Sequence, residues 1–382
     1  MESPPELAED ANYLFSTTFT DPQTIPYDDL SDALSRAMTR QNGADLALYP
    51  PPQGHEALRE LIAANLSEKR GLETSPESII LTSGAGGAVQ TLLDAFIDPG
   101  DIVLAEEFVY MGTLKQLVER GARVVHVASN GHGMDTDALE STLRSLGSEG
   151  KRPKLIYTIS VFQNPIGVTL SEERRRHMID LAHEFEVPVL ENESYADFRI
   201  DGDPLPPAMM GMDGEDSVMY VSAYTKLLGC GLRLGYAVVP DQVREILAKM
   251  SFGTSPSYLS SMAVYEFLSE HGDEHIEKVQ VSLKAKRDAM LGALAEHFPD
   301  SCTWSNPSGG MMLWVRLPEG ADTWPVLGAA LASDVKFNPG QQFRAGRDRP
   351  NYLRLTYSYN TPEEISAGIA TLAEVFRREG LF

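Results

Sequence analysis

Two segments of this 382-residue sequence carry residue types whose spacing could bind an anion or form a covalent bond with a carbonyl compound. In LTSGAGGAVQ (81–90), a predicted strand ends at a glycine-rich turn and a helix begins near Ala85. The free N–H groups of such a turn and the positive end of the helix dipole favour an anion such as phosphate. In SAYTKLLGCGLRLGY (222–236), Lys226 follows a predicted strand, and Arg233 lies seven residues further on. A buried lysine amine can form a Schiff base with an aldehyde, and a guanidinium suits a phosphate.

Two further segments place polar side chains directly after predicted central strands. They are FQNPIG (162–167) and LENESYADFR (190–199). The carboxyl ends of parallel strands are where ligands bind in open α/β sheets. Asn164 offers an amide and Tyr195 a phenol at that level. Each of the four segments also has an ordinary explanation by itself, as a tight turn, a surface lysine, a rigid turn or a core tyrosine.

The elements that must position these side chains alternate between short β-branched runs and helical periods from about residue 41 to 240, which predicts a largely parallel sheet. The predicted strands are 78–82, 101–105, 123–128, 154–159, 187–191, 218–222 and 235–239. The predicted helices between them include 55–70, 113–121 and 171–186. Ser171 is predicted to cap the last of these helices, with Arg174 to Arg176 facing solvent.

The pattern changes after about residue 241, which predicts a second, smaller α+β domain. The predicted elements there are helices at 241–251, 257–270 and 274–297, strands at 311–317 and 352–358, and a final helix at 362–379. His271 and His275 have the i, i+4 spacing of a metal-binding pair, but a solvated helix face or turn is the preferred interpretation.

Composition excludes several classes of function. The net charge of −23 disfavours binding to a nucleic-acid backbone. The sequence has no amino-terminal leader pattern and no run of 18 apolar residues, which disfavours secretion and membrane spanning. Cys230 and Cys302 are too few for a disulfide framework, so a reducing compartment, the cytoplasm, is predicted.

The four segments, in this order and spacing, resemble those of the fold-type I pyridoxal-phosphate enzymes, and more narrowly the class I/II aminotransferases of the aminoadipate, kynurenine and valine–pyruvate kind. The resemblance covers nearly the whole chain and includes 47–63, 108–115, 167–175, 231–236, 308–320 and 351–365. It implies an α/β fold with a mostly parallel seven-stranded sheet between helices, plus a smaller α+β domain. The implied division is an amino-terminal substrate arm (1–40) packing with the small domain, a large cofactor-binding domain (41–270) and a small domain (271–382).

The resemblance also implies residue roles around pyridoxal 5′-phosphate. Lys226 would bind the cofactor aldehyde as a Schiff base and later move the proton of the substrate α-carbon. The residues implied to hold the phosphate are Ala85 and Gly86 through their amides, Thr225, Arg233 and, across a homodimer interface, Tyr49. Tyr110 would stack on the ring, and Asn164 and Tyr195 would bond its oxygen. Arg354 would bind the carboxylate of an amino acid substrate, with Asn164 and Thr18 also at the substrate.

Several positions depart from the family pattern. Asn192 stands where family members carry an aspartate paired with the pyridine nitrogen. An amide is a weaker partner for a pyridinium than a carboxylate, so the ring should withdraw electrons less strongly. Glu191 and Glu193 are not expected to substitute, because adjacent strand residues point to opposite faces. The remaining departures are Ala223 for a serine, Gly86 for a larger residue, and Thr18 for a glycine of the substrate arm.

The leading hypothesis is therefore an aminotransferase that passes an amino group to a 2-oxo acid. The alternative is a specialised relative that performs elimination, replacement, cyclisation or oxidation on an amino acid, S-adenosylmethionine derivatives included, in secondary metabolism. A third hypothesis, the sensor half of a winged-helix regulator, is disfavoured because the chain begins almost at the substrate arm and is strongly acidic. The apolar segment 255–268 and Tyr49 motivate the homodimer prediction.

Overall fold

The computed structural model describes residues 11–40, 44–214, 216–250, 255–346 and 350–382. Its centre is a seven-stranded sheet, and each strand coincides with a predicted one to within two residues. The strands in spatial order are Ile79–Thr82, Gly235–Val238, Val218–Ala223, Val189–Asn192, Leu155–Ile159, Ile102–Glu106 and Arg123–Val127. Most are buried along their whole length, as expected for a sheet covered by helices on both faces.

Six of the seven strands run in one direction, and Gly235–Val238 runs against its two neighbours. The carboxyl ends of the six parallel strands therefore meet at one edge. The reversed strand begins at this edge, because Gly235 pairs with Thr82 and Ala223. The α/β fold with a mostly parallel seven-stranded sheet is thus confirmed.

Two helices of the large unit precede these strands in sequence, six lie between them and one follows them. Their bounds are Tyr27–Arg40, Glu56–Arg70, Gly84–Phe96, Met111–Glu119, Thr136–Ser148, Glu172–Phe185, Met209–Met212, Thr225–Leu228 and Asp241–Met250. Ser171 caps the helix Glu172–Phe185 as predicted, since its side chain accepts a hydrogen bond from the N–H of Arg174.

The prediction that Arg174 to Arg176 all face solvent is wrong for Arg175. Its side chain is fully buried, whereas that of Arg176 is exposed. Arg175 shares a helix face with Met178, Ile179 and Ala182, which are also buried. This is the i, i+3, i+4, i+7 face, so its burial follows from helical geometry once the apolar residues are placed.

The helices predicted at 257–270 and 274–297 form one helix, Tyr258–His297. Residues 271–273 contain no proline, and Gly272 continues the helix. His275 is buried and its Nε2 donates to the carbonyl of Leu227 at 2.9 Å, so it does not lie on a solvated face. Among the described residues, no group of three or more metal-ligating side chains lies together.

The carboxyl-terminal part contains a four-stranded antiparallel sheet and two helices. The strands in spatial order are Thr303–Trp304, Met312–Arg316, Tyr352–Thr356 and Asn338–Pro339, and the helices are Leu327–Leu331 and Pro362–Arg378. The amino-terminal strand Tyr13–Leu14 pairs with Val335–Lys336 of this part. Two short strands, Ser129–Asn130 and Gly133–Met134, form a separate hairpin.

The helix Tyr258–His297 passes position 270 without a break. The division at residues 40 and 270 therefore remains a proposal, in which this helix connects the two domains. Within the residues described, every helix is too short or too polar to cross a membrane.

Candidate active site

Four groups singled out in the sequence lie at the carboxyl edge of the central sheet. Lys226 follows the strand Val218–Ala223, Asn164 follows Leu155–Ile159, Asn192 ends Val189–Asn192, and Gly84 follows Ile79–Thr82. Because these strands are parallel to one another, their ends bring the four groups to one level.

The glycine-rich turn forms an anion-binding cup with Thr225 and Arg233. Gly84 begins the helix Gly84–Phe96 with φ +74°, and a Cβ built on it would lie 3.1 Å from Thr225 Oγ1 and 3.7 Å from the Arg233 guanidinium. The side chain of Ser83 does not cap this helix, so the amides of its first turn, including those of Ala85 and Gly86, are not satisfied by a cap.

The hydroxyl of Thr225 is the clearest sign of a missing partner in this cup. Its Oγ1 is buried and makes no hydrogen bond to any of the residues that the structure describes. Arg233 donates one bond to the carbonyl of Ser83 at 3.0 Å, and its side chain remains exposed. A hydroxyl, a guanidinium and helix amides that converge in this way suit a phosphate.

The amine of Lys226 lies against the amino-terminal arm. Its Nζ donates to the carbonyl of Thr18, and Cys230 Sγ lies 3.8 Å from it. The hydroxyl of Thr20 donates to the carbonyls of Thr225 and Lys226 at 3.2 and 3.3 Å. The arm therefore contacts both the backbone and the side chain of the lysine segment.

Asp21 anchors this arm to the long helix Tyr258–His297. Its Oδ2 lies 2.7 Å from Lys286 Nζ and accepts a bond of 2.7 Å from Ser282 Oγ. Lys286 also donates to the carbonyl of Ser358 at 3.1 Å. Burial lowers the pKa of Lys286, and Asp21 partly opposes that effect.

Arg354 reaches the same arm from the small sheet. It donates to the carbonyl of Ser16, to Asn338 Oδ1 at 2.6 Å and to Asn164 Oδ1 at 2.9 Å. Asn164 Nδ2 in turn donates to the hydroxyl of Tyr195 at 3.1 Å. Arg354, Asn164 and Tyr195 are thus one connected, buried group.

The buried guanidinium of Arg354 has no counter-ion among the residues that the structure describes. No carboxylate of the described residues lies within 4.0 Å of Arg354, and its Nε has no hydrogen-bond partner. Burial lowers the pKa of Arg354 to about 10. A buried cation without a paired anion is costly, and binding a carboxylate would relieve that cost.

Glu106 and Gln163 hold the turn that carries Asn164. Gln163 Nε2 donates to Glu106 Oε2 at 2.8 Å, and its Oε1 accepts from the N–H of Ile166 at 2.9 Å. Burial raises the pKa of Glu106 to about 7. The peptide bond between Asn164 and Pro165 is cis.

Asn192 and its two neighbours in sequence face opposite sides of the strand, as predicted from strand geometry. Asn192 Nδ2 donates to the hydroxyl of Tyr157 at 3.1 Å. Glu191 and Glu193 instead contact Arg175 Nη1 at 3.0 and 2.9 Å on the other face. Neither glutamate faces the ligand side of the sheet.

The other residues that the sequence predicts at the site differ in their exposure and in the groups that they contact. Tyr110 directly precedes the helix Met111–Glu119 and is partly exposed. Thr18 is buried, and its carbonyl is the group that Lys226 contacts. Tyr49 is 91% exposed within this chain, so the single chain does not bring it to the site. Ala223 ends the strand that precedes Lys226.

Sequence reasoning missed Cys230, Thr20 and Asn338. The spacing of Cys230, four residues after Lys226 and next to Gly229 and Gly231, was a usable signal. Thr20 and Asn338 carried none, because their contacts join segments more than 200 and 15 residues apart in sequence.

A lysine at the carboxyl edge of a mostly parallel sheet, together with an anion-binding cup and a buried arginine that contacts no carboxylate of the described residues, is the arrangement of a fold-type I pyridoxal-phosphate transferase. Residues 21–372 match the family described as aminotransferase class I and II. The chain belongs to this family, which makes it a pyridoxal-phosphate-dependent transferase that acts on amino acids.

Individual relatives agree with this assignment. The chain is 34% identical to aromatic-amino-acid aminotransferase 1 of Thermococcus litoralis, over 94% of this chain and 86% of the relative. It is 29% identical, with a TM-score of 0.92, to the crystal structure of a multiple substrate aminotransferase from Thermococcus profundus, covering 100% of this chain and 96% of that one. The comparisons give no support to the alternative of elimination, cyclisation or oxidation.

The same fold also occurs in a longer protein of another kind. An uncharacterised HTH-type transcriptional regulator of Bacillus subtilis is 32% identical over 94% of this chain and 72% of its own length. In the present chain, the match to the aminotransferase family covers residues 21–372 and includes Lys226.

The residues present fit pyridoxal phosphate. The unsatisfied hydroxyl of Thr225, the close approach at Gly84 and the exposed guanidinium of Arg233 suit its phosphate. The amine of Lys226 suits its aldehyde, since a primary amine is the nucleophile that carbonyl compounds require.

Proposed function

We propose that this protein transfers the amino group of an amino acid to a 2-oxo acid, with pyridoxal 5′-phosphate attached to Lys226. One observation supports this most directly. Lys226 and Arg354 donate to the carbonyls of Thr18 and Ser16, which are two residues apart on one segment. Two residues of extended chain span about 7 Å, which is the scale of an amino acid bound between an amine and a carboxylate-binding group.

In this proposal, the cup holds the cofactor phosphate through Thr225, Arg233 and the amides of Ala85 and Gly86. Tyr110 would stack on the ring, and Asn164 and Tyr195 would bond the ring oxygen. The cofactor supplies an aldehyde for the substrate amine and a ring that withdraws electrons from the α-carbon. Burial raises the pKa of Tyr195, which keeps its phenol protonated as a hydrogen-bond donor.

Arg354 binds the substrate carboxylate in the proposed complex. The carbonyl of Ser16 and the amides of Asn164 and Asn338 already orient its guanidinium. A fixed guanidinium binds a carboxylate through two parallel bonds and so orients the α C–H bond. Thr18, which stands where the family pattern has a glycine, would limit the space for the substrate side chain and so influence specificity.

Lys226 Nζ would accept the proton of the substrate α-carbon and hold it for transfer within the site. A positioned amine performs such general acid–base steps with rate gains of about 10²–10⁴-fold. The Thr18 carbonyl accepts a hydrogen bond from this amine, so the arm orients it in the free protein.

We further propose a homodimer in which Tyr49 reaches the partner's phosphate. Tyr49 and Leu48 are 91% and 74% exposed, which is unusual for consecutive apolar side chains. The segment 255–268 supports this less than expected, because Met262, Ala263 and Phe267 are buried inside the chain. Light scattering that shows a monomer at catalytic concentrations would contradict this proposal. The free thiols Cys230 and Cys302 support a cytoplasmic location.

Two measurements test the proposed function. Borohydride reduction of the holoenzyme, followed by peptide mass analysis, should find the phosphopyridoxyl label on Lys226. Mixing the holoenzyme with single amino acids, including aromatic ones, 2-aminoadipate, kynurenine and S-adenosylmethionine, should convert the cofactor to pyridoxamine phosphate for at least one of them. A label elsewhere, or a modified amino acid without any pyridoxamine phosphate, would contradict amino transfer.

A further inference from the structure

We propose that Asn192 keeps the pyridine nitrogen of the cofactor unprotonated by donating an amide hydrogen bond to it. This inference rests on the proposed function, because it requires pyridoxal phosphate at Lys226. Asn192 is buried at the end of the strand Val189–Asn192, at the same edge of the sheet as Lys226 and three residues before Tyr195.

The orientation of the Asn192 carboxamide follows from its partners. Its Oδ1 accepts bonds from the backbone N–H of Ser194 at 3.1 Å and from Ser194 Oγ at 2.6 Å. A backbone N–H is always a donor, so the amide group cannot be turned to place its NH₂ there without an N–H to N–H clash. The oxygen therefore points toward Ser194, and both of its lone pairs are used.

The NH₂ group of Asn192 has one hydrogen left for a ligand. Its first N–H donates to the hydroxyl of Tyr157, which also accepts a bond of 3.0 Å from Thr113 Oγ1. The second N–H has no acceptor among the described residues. The Asn192 carboxamide has two acceptor positions on its oxygen and two N–H donors. The one position without a partner among the described residues is therefore an N–H donor.

A donor at this position favours the neutral form of the ring. An unprotonated pyridine nitrogen accepts a hydrogen bond through its lone pair, whereas a pyridinium N–H would face another N–H. The charged form would then leave a buried donor without an acceptor, which is unfavourable.

No carboxylate compensates from the neighbouring positions. Glu193 lies on the other face of the strand, between Arg70 Nε at 2.7 Å and Arg175 Nη1 at 2.9 Å. Glu191 also contacts Arg175, and its Oε1 accepts from Ser160 Oγ at 2.7 Å. Burial by itself would raise the pKa of Glu193, but Arg70 and Arg175 outweigh it and lower that pKa.

A hydrogen bond from Asn192 to a neutral ring changes what is required of the residue that moves the α-proton. A neutral ring withdraws less electron density than a pyridinium, so negative charge at the substrate α-carbon is less stabilised. The reaction then depends more strongly on rapid proton transfer by Lys226, which lies at the same edge of the sheet. Side reactions that need a long-lived carbanion are disfavoured by the same logic.

Nitrogen NMR of the wild-type holoenzyme tests the inference directly. Ring-¹⁵N-labelled pyridoxal phosphate is bound, and its resonance is compared with that of the free cofactor on either side of its ring titration. We expect the bound wild-type resonance at the neutral-pyridine position at pH 7. A resonance at the pyridinium position would overturn the proposal, whatever the activity of the enzyme.

Two variants sharpen this test. Asn192→Asp should move the resonance to the pyridinium position, because a carboxylate accepts the ring N–H. Ser194→Ala is the matched control. It removes one donor to Oδ1 but keeps the backbone N–H that sets the orientation, so the resonance should stay neutral. If Asn192→Asp does not fold, the wild-type spectrum still decides the question.

A cofactor analogue without the ring nitrogen gives a second readout. In 1-deazapyridoxal phosphate a C–H replaces the nitrogen. The wild type should bind it roughly fivefold more weakly than pyridoxal phosphate, since a neutral hydrogen bond is lost. Asn192→Asp should lose roughly fiftyfold, because its lost bond is charged. Equal losses in both proteins would contradict the inference. If the borohydride label does not appear on Lys226, the proposed function fails instead.

Discussion

Arg354 and Asn164 lie 190 residues apart in sequence and are joined by a buried hydrogen bond of 2.9 Å. The bond connects the small antiparallel sheet to a turn at the carboxyl edge of the large sheet. Asn164 also donates a hydrogen bond to the hydroxyl of Tyr195. The position of the turn that contains Asn164 therefore helps to fix the position of the Arg354 guanidinium. The proposed substrate site therefore depends on how the two sheets pack.

Removing this arginine should impair substrate binding selectively. For Arg354→Ala we expect kcat/KM to fall by about 100-fold, because a charged hydrogen bond to the carboxylate contributes about 1.5–3 kcal/mol. Cofactor absorbance should be unchanged. Arg316→Ala, on the paired strand and exposed, is the control and should retain activity. Equal losses in both variants would argue against a carboxylate-binding role.

A methyl group at Gly84 should weaken cofactor binding. The residue has φ +74°, and an added Cβ would lie 3.1 Å from Thr225 Oγ1. Gly84→Ala should lower the free energy of unfolding by about 1–3 kcal/mol because of backbone strain. Its dissociation constant for pyridoxal phosphate should rise about tenfold through loss of roughly one hydrogen bond.

The matched control for this change is Gly87→Ala. Gly87 lies in the same helix, and its added Cβ would meet its nearest neighbour at 3.4 Å, an ordinary contact. Both the dissociation constant and the free energy of unfolding should stay near wild-type values or improve slightly. A similar effect of both substitutions would show that the cup geometry is not responsible.

Alkylation of Cys230 should block attachment of the cofactor. Its Sγ lies 3.8 Å from Lys226 Nζ and is partly exposed, whereas Cys302 is buried and burial raises its thiol pKa. Iodoacetamide should therefore label Cys230 first in the cofactor-free protein. Mass spectrometry should then find less borohydride-trapped cofactor on Lys226. Cys230→Ser should be resistant, and persistent inactivation of that variant would contradict the prediction.

Replacing Arg175 should destabilise the fold far more than replacing its exposed neighbour. Arg175→Met removes the cation that contacts both buried Glu191 and buried Glu193, which costs about 3–5 kcal/mol. Arg176→Met removes an exposed i, i+4 pair with Glu172, which contributes less than about 1 kcal/mol. Urea unfolding of both variants measures the difference. A small loss of the free energy of unfolding in Arg175→Met would show that the surroundings of Glu191 and Glu193 rearrange to compensate for the lost cation.

Acid should remove the stability that Glu193 provides. Its pKa is lowered in the folded protein, since Arg70 and Arg175 outweigh burial, so its contribution is present above the unfolded-state pKa of about 4.3. That contribution is lost as pH falls toward the folded pKa. Between about pH 5 and about pH 3 the wild type should lose more free energy of unfolding than Glu193→Gln. The exposed Glu60→Gln should follow the wild type.

The alternation of strands and helices and the order of the four segments were sufficient to predict the large sheet and the family. Each strand is a short β-branched run, and each helix has an apolar face, so local period and turn residues decide them. Ser171 could be assigned as a cap for the same reason. The placement of Lys226, Asn164 and Asn192 at one edge also followed, because parallel strands end together.

Contacts between distant segments could not be inferred in this way. The buried ion network of Arg175, the orientation of Asn192 toward Tyr157 and the convergence of Arg354 and Lys226 on the arm all depend on side chains brought together by packing. Sequence periodicity reports which face of an element is apolar, but not which polar group lies opposite a charged one. In the low-dielectric interior, a buried polar group without a partner is costly. The tertiary packing that supplies each such group with a partner is therefore the one that is stable.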